Sequence, residues 1–209
     1  STFAPVVTLV GKTWSLHLEK VTRVSREENL AMIGESVAYL RGEDKRVMYD
    51  AEHFFDAWGD DREYALQCLT AAHEAGAEVL VLCDTNGAHL PNQINAIVSE
   101  VREALPDSEL GIHCHNDLEC GVANALAAVD AGARQVQGTV NGYGERTGNS
   151  NLISILPSLQ LKMGYEVIPP EKMKDLSSVS HFVADLLNVP VDADPAYVGR
   201  NAFAHKGGM

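Results

Sequence analysis

The residues best spaced for chemistry are Gly111-Ile112-His113-Cys114-His115-Asn116-Asp117. Alternation along a strand puts His113 and His115 on one face and Cys114 on the other, so two imidazoles project together at a strand end. Two imidazoles on one face make a divalent-metal geometry. The alternative is a polar patch in which both rings hydrogen-bond Asn116 or Asp117. A second constellation is the glycine-punctuated run from Asn141 to Asn149, NGYGERTGN. Its glycines let backbone approach a ligand, and Arg146 suits a carboxylate. A tight loop with Glu145 and Arg146 paired to each other is the competing account. Glu52 after MYDA and the run Asp84-Thr85-Asn86-Gly87 are weaker, since Asp-Thr-Asn-Gly also reads as a turn with an Asx cap.

Elements that place such residues are legible from periodicity. Short β-branched runs alternate with longer amphipathic stretches, as in parallel strands covered by helices. Strands are predicted at Pro5 to Val10, Arg46 to Asp50, Glu78 to Cys83, Glu109 to His115 and Gln135 to Val140. Helices are predicted over Ser25 to Leu40, from Asp60 or Asp61 to Ala75, from Pro91 to Leu105 and over Gly121 to Ala131. Ser25 and Glu28 have capping-box spacing, and Pro91 suits a first helical turn. The tripeptide Ala-Gly-Ala recurs at Ala75 to Ala77 and Ala131 to Ala133, which marks the same helix-to-strand turn twice.

Five such units fit a doubly wound sheet or a (β/α)8 barrel. No GxGxxG follows the first strand, as a dinucleotide-binding sheet would have. Instead Lys12 and His17, Glu52 and His53, Asp84 and Thr85, His113 and His115, and Asn141 with Glu145 follow successive strands. In a barrel these positions share one rim, the C-terminal face. Trp14 lines a pocket there or lies in the barrel wall. The expected fold is therefore α/β: a partial (β/α)8 TIM barrel of about five units from its second half. Residues 1–165 would form that barrel part and 166–209 the start of a helical linker. A chain that opens on Ser-Thr-Phe and closes on Lys-Gly-Gly-Met reads as a fragment, with strand edges exposed at both sides.

Composition narrows the class. The 209 residues are 45% hydrophobic and 22% charged, enough for a sizeable core. With 16 Lys plus Arg against 29 Asp plus Glu, the formal charge is −13, so no nucleic-acid partner is expected. No apolar run approaches a membrane span and no signal sequence is visible, which predicts a cytoplasmic protein without a membrane partner. Cys68, Cys83, Cys114 and Cys120 form no CxxC pair and read as reduced, mostly buried thiols.

HCHND, NGYGERTGN and CDTNG together resemble the metal-dependent Claisen-condensing barrel enzymes, the isopropylmalate, homocitrate and citramalate synthase group. The resemblance spans nearly the whole chain. YDAEHFFD, LVLCDTNGAHLP, QVQGTVNGYGERTGN and NAFAHKGG are most similar to the citramalate synthase branch. It implies that acetyl-CoA is enolised, that the enolate adds to a 2-oxo acid, pyruvate for citramalate, and that the thioester is then hydrolysed. It also implies His113, His115 and Asn149 as ligands of Mn²⁺, Mg²⁺, Zn²⁺ or Co²⁺, Glu52 as a catalytic carboxylate, and Thr85, Asn141 and Arg146 as substrate-binding residues. Such enzymes are homodimers of branched-chain amino acid biosynthesis, the citramalate branch serving isoleucine. The group's remaining metal-ligand Asp and catalytic Arg would precede Ser1, and its acetyl-CoA-deprotonating His would follow Met209; His205 is not that residue. The isolated chain is thus expected to turn over slowly or not at all. The alternatives are isopropylmalate or homocitrate synthesis, a related acyl-CoA lyase, and a non-catalytic barrel that binds a metal or ligand.

Overall fold

The computed structural model describes residues 3–205, so the closing Lys-Gly-Gly-Met run lies outside the described residues. The chain forms two compact units, divided after Gln137.

The first unit alternates strands and helices. Strand β1 (Val6–Lys12) leads through the single turn α1 (Ser15–His17) and a wider turn over Leu18–Thr22 into α2 (Arg26–Gly42). Then come β2 (Arg46–Glu52), α3 (Phe54–Asp60), α4 (Arg62–Glu74), β3 (Val79–Asp84), α5 (Pro91–Ala104), β4 (Glu109–Cys114), α6 (Gly121–Asp130) and β5 (Gln135–Gln137). Local chemistry sets the helix starts. Ser25 Oγ accepts from Glu28 N at 3.1 Å, Asp61 Oδ1 accepts from Tyr64 N at 3.1 Å, and Pro91 occupies the first turn of α5. Gly76 and Gly132 take left-handed φ of 99° and 116° in the repeated helix-to-strand turn. All four cysteines are free, three buried and Cys120 half-buried.

All five strands are parallel and pair in sequence order, β1-β2-β3-β4-β5. A doubly wound sheet reverses its strand order part-way; this one does not. One face carries Val47, Tyr49, Ala51, Leu80, Leu82, Leu110, Ile112 and Cys114, all fully buried beneath the helices. The other face carries Met48, Asp50, Glu52, Val79, Val81, Cys83, Gly111, His113, Gln135 and Gln137. Two contacts show that this face is concave. Gln135 Nε2 reaches Met48 Sδ at 3.8 Å and Gln137 Nε2 reaches Asp50 Oδ1 at 2.8 Å, both from β5 to β2. In a flat sheet three strand spacings would separate those backbones by about 14 Å, beyond a glutamine's reach. The sheet is curled as in part of an α/β barrel, and its inner face, the bore, joins the apolar cluster of Val79, Val81 and Cys83, packed by Met48, to a set of polar groups.

The second unit holds the single turn Val140–Gly142, α7 (Leu152–Leu161), the turn Pro170–Asp175 and α8 (Leu176–Leu187). Asn151 caps α7, its Oδ1 accepting from Ile153 N at 3.0 Å. The fifth strand is much shorter than predicted, ending at Gln137 rather than Val140. A Cβ at Gly138 would strike Ser150 O, and Thr139 instead pairs with Asn151, so the chain leaves the sheet at the glycine. Neither α3 nor α7 was expected. No described helix is long and apolar enough to cross a membrane.

Candidate functional site

The bore is richest in polar groups at the C-terminal end of the strands. His113 is the penultimate residue of β4 and His115 follows the strand, its N–H donating to Asp84 O at 3.2 Å. Their rings lie side by side with centroids 5.2 Å apart and planes inclined by 28°. Cys114 between them is fully buried on the opposite, helix-covered face. The two imidazoles are thus aimed to the same side, as the alternation requires.

His113 Nδ1 lies 2.7 Å from Gln137 Oε1, and Gln137 Nε2 donates to Asp50 Oδ1 at 2.8 Å. Asp50 is 7% exposed, and burial raises its carboxyl above the usual range against the opposing effect of the Gln137 hydrogen bond. Donor atoms of Asp50, Cys83 and His113 lie within 4.8 Å of one another. Burial pushes the Cys83 thiol well above its ordinary pKa and so keeps it protonated. A carboxylate and an imidazole one layer into the bore, with a second imidazole at its mouth, are a donor set that fits a divalent cation.

At the end of β2, Glu52 forms an ion pair with Lys12 of β1, its partner in the parallel register. Thr13 Oγ1 donates to Glu52 O at 2.6 Å. Beyond the strand His53 takes a left-handed conformation, φ 56°, and donates its backbone N–H to Thr85 Oγ1 at 2.8 Å. Thr85 therefore ties the ends of β2 and β3 together. The His53 ring meets Asp56 Oδ2 at 3.0 Å, and Asn86 Nδ2 donates to the same oxygen at 3.1 Å. Burial alone would raise the Asp56 carboxyl; the hydrogen bonds from His53 and Asn86 outweigh it and hold it below the usual range. Trp14, His17 and His53 form one ring cluster, with His17 and His53 edge-on at 4.5 Å. Burial and the neighbouring His53 lower the pKa of His17.

Asp84 does not belong to the rim. Strand parity turns it to the helix-covered side, where it is fully buried and meets His89 Nδ1 at 2.8 Å. It also accepts from Ala88 N at 3.3 Å, while Gly87 N donates to Asp84 O at 3.0 Å. The Asp84–Gly87 run is the Asx-capped turn that its composition allowed. Thr85, one position on, is the residue of this run whose side chain meets the end of β2.

Asn141, Arg146 and Asn149 lie in the second unit, on a loop folded back on itself. Asn149 N donates to Gly142 O at 2.9 Å and Gly148 N to Glu145 O at 2.9 Å. A Cβ at Gly144 would strike the Asn149 side chain, and one at Gly148 the Gly142 carbonyl. Gly148 is thus required by close approach as well as by its φ of 105°. Asn141, at φ 62°, is anchored: its Nδ2 donates to Ser180 O at 2.9 Å and its Oδ1 accepts from Ser180 Oγ at 2.6 Å. Arg146 faces Glu145 at 3.6 Å on the exposed side. Of the bore's polar groups, Asp50 and Gln137 were missed in the sequence, as was Asp56. Their signal was the period of two: Asp50 precedes Glu52, and QVQ alternates polar residues toward His113.

Residues 2–183 match the HMGL-like family model. The chain belongs to the HMGL-like family. Over 98% of its length it is 54% identical to an (R)-citramalate synthase of Aquifex aeolicus, of which the match covers 39%. A 2-isopropylmalate synthase of Sulfolobus acidocaldarius is 39% identical over 94% of the chain and 50% of that protein. The chain spans about two fifths of the length of the citramalate synthases it matches. Hydroxymethylglutaryl-CoA lyase from Pseudomonas aeruginosa superposes with a TM-score of 0.75 at 18% identity, covering 90% of this chain and 64% of the lyase. This HMGL-like chain thus has the partial α/β barrel inferred from its polar rim.

Proposed function

We propose that the full-length protein condenses acetyl-CoA with pyruvate to give citramalate, the acetyl methyl group adding as an enolate to the keto carbon before the thioester is hydrolysed. The observation that carries this reading is the parallel His113–His115 pair at the strand end of a chain 54% identical to a citramalate synthase. His113 and His115 would hold a divalent cation, with Asn149 joining directly or through water. Such a cation supplies Lewis-acid chemistry: it polarises the 2-oxo acid's carbonyl and neutralises the developing alkoxide. Imidazole with oxygen donors suits Mn²⁺, Mg²⁺, Zn²⁺ or Co²⁺, and availability selects among them.

The remaining residues orient and balance. Thr85, already fixed by the His53 backbone, presents its hydroxyl to the substrate carboxylate. Glu52 acts as the carboxylate near the acetyl group, its charge balanced by Lys12. Arg146 pairs with a substrate carboxylate when the glycine loop closes, exchanging Glu145 for it. Asn141 contributes by anchoring that loop through Ser180, so its part in substrate binding runs through the backbone it holds. In chain order β5 and α7 continue the strand–helix alternation, and we read residues 1–165 as barrel and 166–209 as the start of a linker toward a second subunit of a homodimer working in the cytoplasm.

Thiol release from acetyl-CoA by the full-length protein with pyruvate, 2-oxoisovalerate or 2-oxoglutarate tests this. Pyruvate should give the highest kcat/KM. Preference for 2-oxoisovalerate would move the protein to the isopropylmalate branch, and no release with any of them would remove the synthase reading.

A further inference from the structure

The geometry points to Gln137 as a positioning residue for the metal site: clamped by Asp50, its amide holds His113 in the tautomer whose Nε2 carries the lone pair. This inference rests on the metal-ligand role proposed for His113.

The argument is one of donors and acceptors. Parallel pairing sets Gln137 level with His113 on the bore face of the neighbouring strand, and the curl of the sheet brings Asp50 of β2 to the amide's other end. An amide by itself specifies nothing, because turning it over exchanges its donor and acceptor. The Asp50 carboxylate removes that ambiguity. Its Oδ1 accepts from the NH2 end at 2.8 Å, which leaves Oε1 facing the imidazole. A carbonyl oxygen 2.7 Å from Nδ1 requires the proton there, which puts the lone pair of the neutral ring on Nε2. Reversing the amide would set its oxygen against the carboxylate in a place where Asp50 is 7% exposed and water competes poorly.

One layer deeper the molecule contains its own contrast. Gln135 spans the same bore over Gly111, but its Nε2 meets the Met48 sulfur at 3.8 Å, and among the described residues its buried Oε1 has no hydrogen-bond partner. No charge decides which way that amide faces, and no imidazole lies level with it. Two glutamines with the same reach thus differ in what stands opposite, and the carboxylate is what makes one of them directional.

The test uses the full-length protein with Mn²⁺ as the probe, and reads two things: affinity by calorimetry and the His113 ring tautomer by ¹⁵N NMR of the metal-free protein. His113→Ala assigns the resonances. In the parent, Nδ1 should carry the proton. Gln137→Met should release the ring into both tautomers and weaken Mn²⁺ binding about 10- to 100-fold. Asp50→Asn, which lets the amide turn over, should shift the ring toward the Nε2–H form before any metal is added. Gln137→Glu retains an acceptor for Nδ1–H and should restore the tautomer and most of the affinity, a rescue that a merely space-filling role would not give. Gln135→Met should leave both readings unchanged. An Nε2–H ring in the parent, or a Gln137→Met protein with parental tautomer and affinity, would overturn the inference. If His113→Ala itself binds Mn²⁺ like the parent, it is the metal-ligand reading that fails, and this one with it.

Discussion

The end of β4 and the Asn141–Asn149 loop looked alike as motifs, yet they are built on opposite principles. In the first, side chains are fixed by other side chains: His113 by Gln137, Gln137 by Asp50, and Cys114 by complete burial on the far face. In the second, backbone is fixed by the absence of side chains. Gly144 and Gly148 admit atoms that a Cβ would displace, and Asn141 is held through its own amide. The comparison teaches where each region's specificity resides. A curled sheet supplies a rigid frame for aiming imidazoles, whereas the loop keeps its fold by a shape free of bulk.

The largest effect that separates the two regions should come from the imidazoles. His113→Ala and His115→Ala should each weaken Mn²⁺ binding by more than about 100-fold in calorimetry, beyond what loss of an outer partner costs. A pair of variants that still bind Mn²⁺ like the parent would erase the contrast. Next in size, Gly148→Ala meets a φ of 105° and the Gly142 carbonyl together. It should destabilise the loop by about 1–3 kcal/mol. The expected readout is a lower kcat/KM for the 2-oxo acid with Mn²⁺ affinity preserved, which would show that the loop serves substrate and the β4 end serves metal.

A smaller effect sharpens the frame itself. The hydrogen bond to Asp84 raises the pKa of His89 above its ordinary value. A raised folded-state pKa means stability that is fully present below about pH 6.5, the unfolded value, and lost as pH rises through the folded one. The urea midpoint of the parent should therefore fall over that window relative to His89→Gln, and parallel profiles would refute the coupling. The smallest change is expected at Glu145. It is 73% exposed in its pair with Arg146, so Glu145→Ala should not measurably move the urea midpoint. If Arg146 is the substrate's partner, the same variant should lower KM by removing a competitor; an unchanged KM would restrict the arginine to its local pair.

Legibility followed how local each cause was. Ser25, Asp61, Pro91 and the two Ala-Gly-Ala turns announced helix limits because caps and left-handed glycines act within a few residues. The short α3, whose Phe54, Phe55, Ala57 and Trp58 are all buried, spans 7 residues, too few for a helical period to show. Pro157 lies inside α7, where a proline removes a helix hydrogen bond, yet the buried segment keeps its helix. Asp84 was grouped with the rim by position in sequence. One step of strand parity sends it to the other face, where it organises the turn that presents Thr85.

By itself the amino-acid order determined the strand–helix alternation, the common face of His113 and His115, and the family, since each depends on spacing along the chain. Only the tertiary structure decided that Asp50 and Gln137 meet. They lie 87 positions apart and three strands away, and no local rule relates them. The curl of the sheet closes that distance, and with it chooses which nitrogen of His113 carries the proton.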